Sequence, residues 1–292
     1  VVAQFVANGL IAGSAYAIFA LSFSIIYTPC RFLHFAHGAA FLFGAYIFYS
    51  VRIYFGLPFS LCFCAALIGT ALLGMGMEAF MYRPLRHRGA SNTVMLLASI
   101  GMYIVLQNII SLMFGDSVRS FRSGMVATGI EIFGARVTSV QLGTFASALA
   151  CAILVWCWLR FTVMGKMIRA VANEPQLALA CGVANERVLL CVFAVGSALA
   201  ALGGVFLSAD VDMTPSFGLS ALMSGVVAVI VGGIGRISAA LAGGFFVGLV
   251  QHLGIWILGS TCQDVITFLI LLLFLLARPQ GFFGSPVRRT VV

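Results

Sequence analysis

Apolar runs long enough to cross a bilayer follow one another along almost the whole chain, and the gaps between them hold most of the charge. They fall at about residues 5–27, 35–55, 57–80, 91–114, 139–159 and 188–208, then as a glycine-interrupted pair at about 219–233 and 238–258, and finally at about 262–277. A membrane span needs roughly 20 predominantly apolar residues. Within hydrocarbon, a continuous apolar segment satisfies its own backbone only as a helix. The pattern therefore predicts an all-α polytopic membrane protein with about eight transmembrane helices plus one broken or re-entrant element. The short stretch 219–233 is that element, read as a half-helix joined to the next run across Gly232-Gly233-Ile234-Gly235.

Composition closes off the other classes. Hydrophobic residues make up 62% of the 292 and charged residues 8%, where soluble chains carry about 25% charged residues. So few charges cannot cover a soluble enzyme, a secreted disulfide scaffold or a disordered chain of this length. No polar stretch is long enough for a second folded unit, so residues 1–292 are read as a single transmembrane domain. The first run has no basic leader and is too long for a cleavable signal, so none is expected. The eight cysteines form no Cys-x-x-Cys pair and have no histidine at zinc-ligand spacing. They are read as small apolar packing residues, and neither a metal nor a cofactor is expected.

A net charge of +8, from 16 Lys+Arg against 8 Asp+Glu, would raise nucleic acid as a partner in a soluble protein. Here the basic residues sit between apolar runs with no interleaved aromatic stripe, so the expected partner is the lipid bilayer and no nucleic acid. With the C-terminus on the cytoplasmic side, twelve basic residues fall inside, among them Arg31, Arg83, Arg86, Arg160, Lys166, Arg169 and Arg236. Four fall outside: Arg52, Arg119, Arg122 and Arg136. That asymmetry is the positive-inside signal. Nine crossings put the N-terminus outside; eight put it inside and make the first loop re-entrant. Glycine pairs within the runs, such as Gly9 with Gly13 and Gly244 with Gly248, suit helix backbones that approach closely in lipid.

The polar gap at about 160–187 is the most informative segment. It faces the cytoplasm by the charge count and contains a short helix of its own. Asn173 is placed to cap its start, Glu174 suits the positive end, and Pro175 is tolerated in the first turn. Gly182 fits the left-handed position after the last turn. Leu177, Ala180 and Cys181 share a face, and Asn185 is placed to cap the next membrane helix. A helix of about eight residues is unstable alone in water, so it must be held by packing on its own domain or in a groove of a partner.

The segment from Gly165 to Gly182, Gly-Lys-Met-Ile-Arg-Ala-Val-Ala-Asn-Glu-Pro-Gln-Leu-Ala-Leu-Ala-Cys-Gly, resembles the coupling loop of ABC importer permeases, in particular the branched-chain amino-acid permeases of the LivH type. Gly9-Leu-Ile-Ala-Gly-Ser-Ala-Tyr-Ala17, Phe35-Ala-His-Gly38 with Gly44-Ala-Tyr46, Tyr82-Arg-Pro-Leu-Arg86, Leu106-Gln-Asn108, Gly232-Gly-Ile-Gly235 with Gly243-Gly244, and Arg278-Pro-Gln-Gly281 resemble that family in the same order. The likeness runs over nearly the whole chain. Two positions depart from the family pattern: His34 stands where Asn usually precedes Phe-Ala-His-Gly, and Arg236 adds a charge to the glycine turn.

The resemblance implies a membrane-spanning permease subunit of an ATP-driven importer in a bacterial cytoplasmic (inner) membrane. It would move branched-chain or other hydrophobic amino acids by alternating access. It implies as partners a second related permease, two cytoplasmic ATPase subunits and an extracytoplasmic solute-binding protein. Gly165, Arg169, Asn173, Glu174, Pro175, Leu177 and Gly182 would form the element that docks on the ATPase. The chain itself has no Gly-x-x-x-x-Gly-Lys-[Ser/Thr] loop; Gly165-Lys166 has Arg160 in place of the first glycine and Met167 after it. This marks a transport subunit, not an enzyme, and places ATP hydrolysis on a partner.

Polar residues within the runs are few: Ser14, Tyr16, His37, Gln107 and Asn108. Each is read in two ways, as an interhelical hydrogen bond or as part of a translocation path. His34 and His37 would share a face if that stretch were helical. Glu78 and Asp264 fall near run ends, Glu78 beside Arg83, which leaves proton coupling little to work with. The competing reading is a stand-alone secondary carrier or channel for a small neutral solute such as an amide or urea. Ion coupling would then fall at the broken element Gly232–Gly235.

Overall fold

The computed structural model describes residues 2–120, 129–132, 134–233, 237–278 and 281–283. The chain folds as helices α1 (Val2–Cys30), α2 (His37–Phe55), α3 (Phe59–Met77), α4 (Arg83–His87), α5 (Asn92–Phe114), α6 (Ser139–Phe161), α7 (Val163–Asn173), α8 (Pro175–Ala180), α9 (Asn185–Asp210), α10 (Phe217–Gly232), α11 (Ile237–Leu258) and α12 (Gln263–Ala277). A π-helical turn, Glu78–Tyr82, welds α3 to α4 into one rod. A two-stranded antiparallel hairpin, β1 (Ile130–Ile132) and β2 (Ala135–Val137), precedes α6. Among the described residues eight helical segments are long and apolar enough to cross a membrane. The ninth, α10, has 16 residues. At 1.5 Å per residue it covers about 24 Å, short of a hydrocarbon core of about 30 Å.

Helix α1 is the axis of the molecule. Every residue from Gly13 to Ile26 is buried, as befits a helix that is apolar all round. Its partner along most of its length is α11, and the seam between them is built from glycines. A Cβ at Gly248 would fall on the backbone of Gly13, and one at Gly244 on the backbone of Ala17. Helices α6, α9 and α10 also pack on α1 and α2 meets it through His37 and Phe41, while α3, α5 and α12 lie further out and expose apolar surface.

The glycine pair is not a broken helix. Gly232 packs against Ala239 and Gly243 against Ala228, so α10 and α11 run antiparallel as a helical hairpin. Gly233 ends α10 at φ 125°, a conformation that only glycine adopts without strain. Ile234, Gly235 and Arg236 lie outside the described residues, as do Arg122, Pro279 and Gln280.

The ends of α1 fix the direction of travel. At its start, the Gln4 side chain donates to Arg136 O (3.0 Å) and accepts from Arg136 N (2.8 Å) beside the β-hairpin. Just past its other end, Arg31 donates to Ala172 O at 2.6 Å, in the loop between α6 and α9. Among the described residues α1 therefore starts on the hairpin side and ends on the side of loop 160–187. The first loop, Arg31–Ala36, is non-helical, so His34 and His37 do not share a helix face. They are brought together by the fold instead, their ring centroids 5.8 Å apart.

Candidate functional site

The loop 160–187 forms two helices instead of one. Pro175 has no N–H to donate and disfavours a helical residue before it. Helix α7 therefore runs to Asn173, Glu174 is extended (φ −143°, ψ 90°), and α8 begins at Pro175. Asn173 is thus the last residue of α7 and not the cap of α8. Glu174 holds the capping position but makes no side-chain capping bond. Asn185 caps nothing either: its Nδ2 donates to Pro175 O at 2.9 Å, tying α8 to the start of α9.

Helix α7 is clamped to the membrane bundle. Its buried residues, Gly165, Ile168, Val171 and Ala172, line one face. Thr162 caps its start, accepting from Gly165 N at 3.0 Å. A side chain on Gly165 would collide with the backbone of Leu159. Arg169 donates to Leu159 O, stapling α7 to the end of α6. Helix α8 is the reverse case. Only Ala178 is buried; Leu177 and Leu179 are 64% and 62% exposed, and Ala180 and Cys181 are exposed as well. Gly182 closes it at φ +84°, its N–H donating to Leu179 O and that of Val183 to Ala178 O. The arrangement presents two leucines on a braced platform.

Next to this platform an ionic cluster joins α4 to the first turn of α9. Glu186 pairs with Arg83 and with His87, the latter at 2.6 Å. Glu78 is paired with Arg86, not with Arg83, and is fully buried. It lies well inside the welded α3–α4 rod, because the helix continues past residue 80 to His87.

On the opposite side, a cavity of about 320 Å³ opens between α1, α6, α9, α10, α11 and the start of α12. Asn8, Tyr16, Gln141, Asp210, His252 and Asp264 supply much of its polar lining. Tyr16 donates to Gln251 Oε1 (2.8 Å), Gln251 to Thr267 Oγ1 (2.6 Å), and Thr267 to Gln263 O (3.0 Å). Gln141 donates to Asp210 at 3.0 Å.

Of the five polar residues expected within spans, Tyr16 alone lines this cavity. Ser14 donates to Ile11 O in its own helix. His37 is buried deeper, hydrogen-bonded to Ser22 at 2.7 Å and edge-on to Phe19. Asn108 is exposed and donates to Ile104 O, while Gln107 on the same helix is half-buried. Gln251, His252 and Gln141 escaped the sequence reading. The signal for two of them is the polar pair Gln251-His252 inside the apolar run 238–258.

Eight apolar helices of spanning length define a polytopic membrane protein. A family model described as "Branched-chain amino acid transport system / permease component" matches residues 5–276. The high-affinity branched-chain amino acid transport system permease protein LivH of Salmonella typhimurium is 32% identical, covering 96% of this chain and 94% of that protein. The corresponding permease BraD of Pseudomonas aeruginosa is 29% identical, covering 97% and 96%. The chain belongs to the branched-chain amino acid transport system permease family. The solved structure of PsaBC from Streptococcus pneumoniae in complex with Fab shares the fold, with a TM-score of 0.53 at 15% identity over 96% of this chain and 94% of that one. Family membership favours the permease subunit over a stand-alone carrier.

Proposed function

We propose that this chain forms the membrane pathway of an ATP-driven importer for branched-chain or other hydrophobic amino acids in a bacterial cytoplasmic membrane. Helix α8 is the part that touches the motor. It works beside a second related permease, two cytoplasmic ATPase subunits and an extracytoplasmic binding protein. The cargo class rests on the names of the LivH and BraD relatives. The observation that carries the coupling role is the pairing of an exposed α8 with a clamped α7. An apolar knob in water is costly unless something covers it, and burying one leucine contributes about 1.5–3 kcal/mol. The clamp makes any displacement of α8 a displacement of α6, α1 and α9, through Arg169, Arg31 and Asn185. In this reading Arg169 and Gly165 position the platform, while Glu174, Pro175, Leu177 and Gly182 shape the docking knob and Asn173 ends its support.

Leu177→Asp removes the apolar contact and adds a charge, and Gly182→Val forces a branched residue into positive φ. Each is expected to lower binding of the ATPase and ATP-driven uptake at least tenfold, since about 1.4 kcal/mol is a factor of ten. Abundance in the membrane should be unchanged for Leu177→Asp. Glu174→Lys is expected to act in the same direction. Uptake in intact cells, together with cross-linking from positions 173 and 182 to the ATPase, checks this. Normal uptake at normal abundance, or cross-links that never capture a nucleotide-binding protein, overturns it.

A further inference from the structure

We infer that the groove between α6, α1 and α11 near the inner ends of those helices binds an anionic phospholipid, with its acyl chain in the groove and its phosphate on Arg160 and Arg169. The groove has a volume of about 690 Å³ and is walled by Leu21, Ile153, Trp156 and Leu241. Both arginines line it as well. Arg160 is the second-last residue of α6, on the same side of the molecule as α7 and α8. That is the level at which a lipid headgroup meets water. An apolar trough ending in two guanidinium groups matches one chemistry, a hydrocarbon tail carrying an anionic head.

The charges are otherwise unanswered. Among the described residues the ion pairs engage Arg83, Arg86 and His87, and no carboxylate reaches Arg160 or Arg169. The sequence has no Asp or Glu between Glu131 and Glu174. Arg160 lies over the ring of Trp156, 5.3 Å from its centroid, which holds the guanidinium beside the groove. Arg169 gives Nη1 to Leu159 O and keeps further donors in its planar fork, a geometry suited to phosphate. Two like charges at one rim favour an anion between them. Basic pockets between helices on the cytoplasmic side are a recurrent way of holding anionic headgroups. A neutral lipid would leave both cations unmatched, and a free anion would leave the trough unused.

The test uses the intact transporter in nanodiscs of phosphatidylcholine alone or with phosphatidylglycerol, the retained lipid being counted by native mass spectrometry. Wild type should retain phosphatidylglycerol over phosphatidylcholine. Arg160→Gln should lose that preference about fivefold, the effect of one interfacial cation. Leu241→Trp, which fills the trough without touching charge, should reduce retention of the tail as well as the head. Unshifted melting temperatures show that both variants remain folded. Equal retention of the two lipids, unchanged preference in Arg160→Gln, or displacement of the lipid by inorganic phosphate would each overturn the assignment. So would cross-linking through Ile153 that captures a second permease copy in place of lipid.

Discussion

Gly248→Leu is expected to prevent the chain from accumulating as a folded protein in the membrane. In lipid there is little hydrophobic gain in bringing two helices together, so close van der Waals packing has to hold them. Here that packing is a seam of hydrogen-sized side chains. A Cβ at Gly248 would lie against the backbone nitrogen and Cα of Gly13, and a Cβ at Gly13 would come within 2.9 Å of Phe245 Cα. Backbone on both sides cannot step aside as a flexible side chain would. Overpacking a well-filled core costs about 1–3 kcal/mol and occasionally more. A leucine directed into backbone belongs at or above the top of that range, because α1, the axis on which α9, α10 and α11 all pack, has to move. The companion substitutions Gly76→Ala and Gly101→Ala meet nothing within 4 Å. They should be neutral or gain about 0.5–1 kcal/mol from helix propensity. Membrane abundance and the thermal midpoint of the detergent-solubilised protein distinguish the cases. A Gly248→Leu variant as abundant and as heat-resistant as wild type would show that the seam is dispensable.

The succession of spans was legible because lipid imposes it: a segment such as 139–159 must be helical and apolar whatever its neighbours do. The structure places α6 at Ser139–Phe161, in agreement. Pairings between spans are a different matter, since they depend on which faces meet. The runs 219–233 and 238–258 read as one helix broken at glycines, but the contact of Ala228 with Gly243 makes α10 and α11 separate antiparallel helices. Pro175 was correctly placed in the first turn of a helix, but its effect on the residue before it also ends the preceding helix. That is why α7 and α8 separate at Glu174. Tyr16 was visible as a polar residue in a span, but its partner Gln251 is 235 residues away along the chain and no local pattern links them. Glu78 looked like a terminal carboxylate because the apolar run stops near residue 80. The helix runs on through a π-helical turn, and the arginine that meets it is Arg86.

That carboxylate gives the second large expected effect. Glu78 is fully buried while the side chain of Arg86 is 32% exposed, so the two halves of the pair are not equivalent. Arg86→Ala strands a carboxylate in the interior, and breaking a buried pair from one side costs about 3–5 kcal/mol. Glu78→Leu strands an arginine whose long stem can carry its head towards water, so its cost should be clearly smaller. The double variant Glu78→Leu/Arg86→Leu removes both charges and should recover most of what Arg86→Ala loses, because apolar replacement of a buried pair is often neutral. Three midpoints of thermal or denaturant unfolding on the purified transporter suffice. If Arg86→Ala were no worse than Glu78→Leu, burial of the carboxylate would not be what makes the pair matter. If the double variant were as unstable as Arg86→Ala, the loss would lie in the π-helical turn itself, whose geometry both side chains would then be holding.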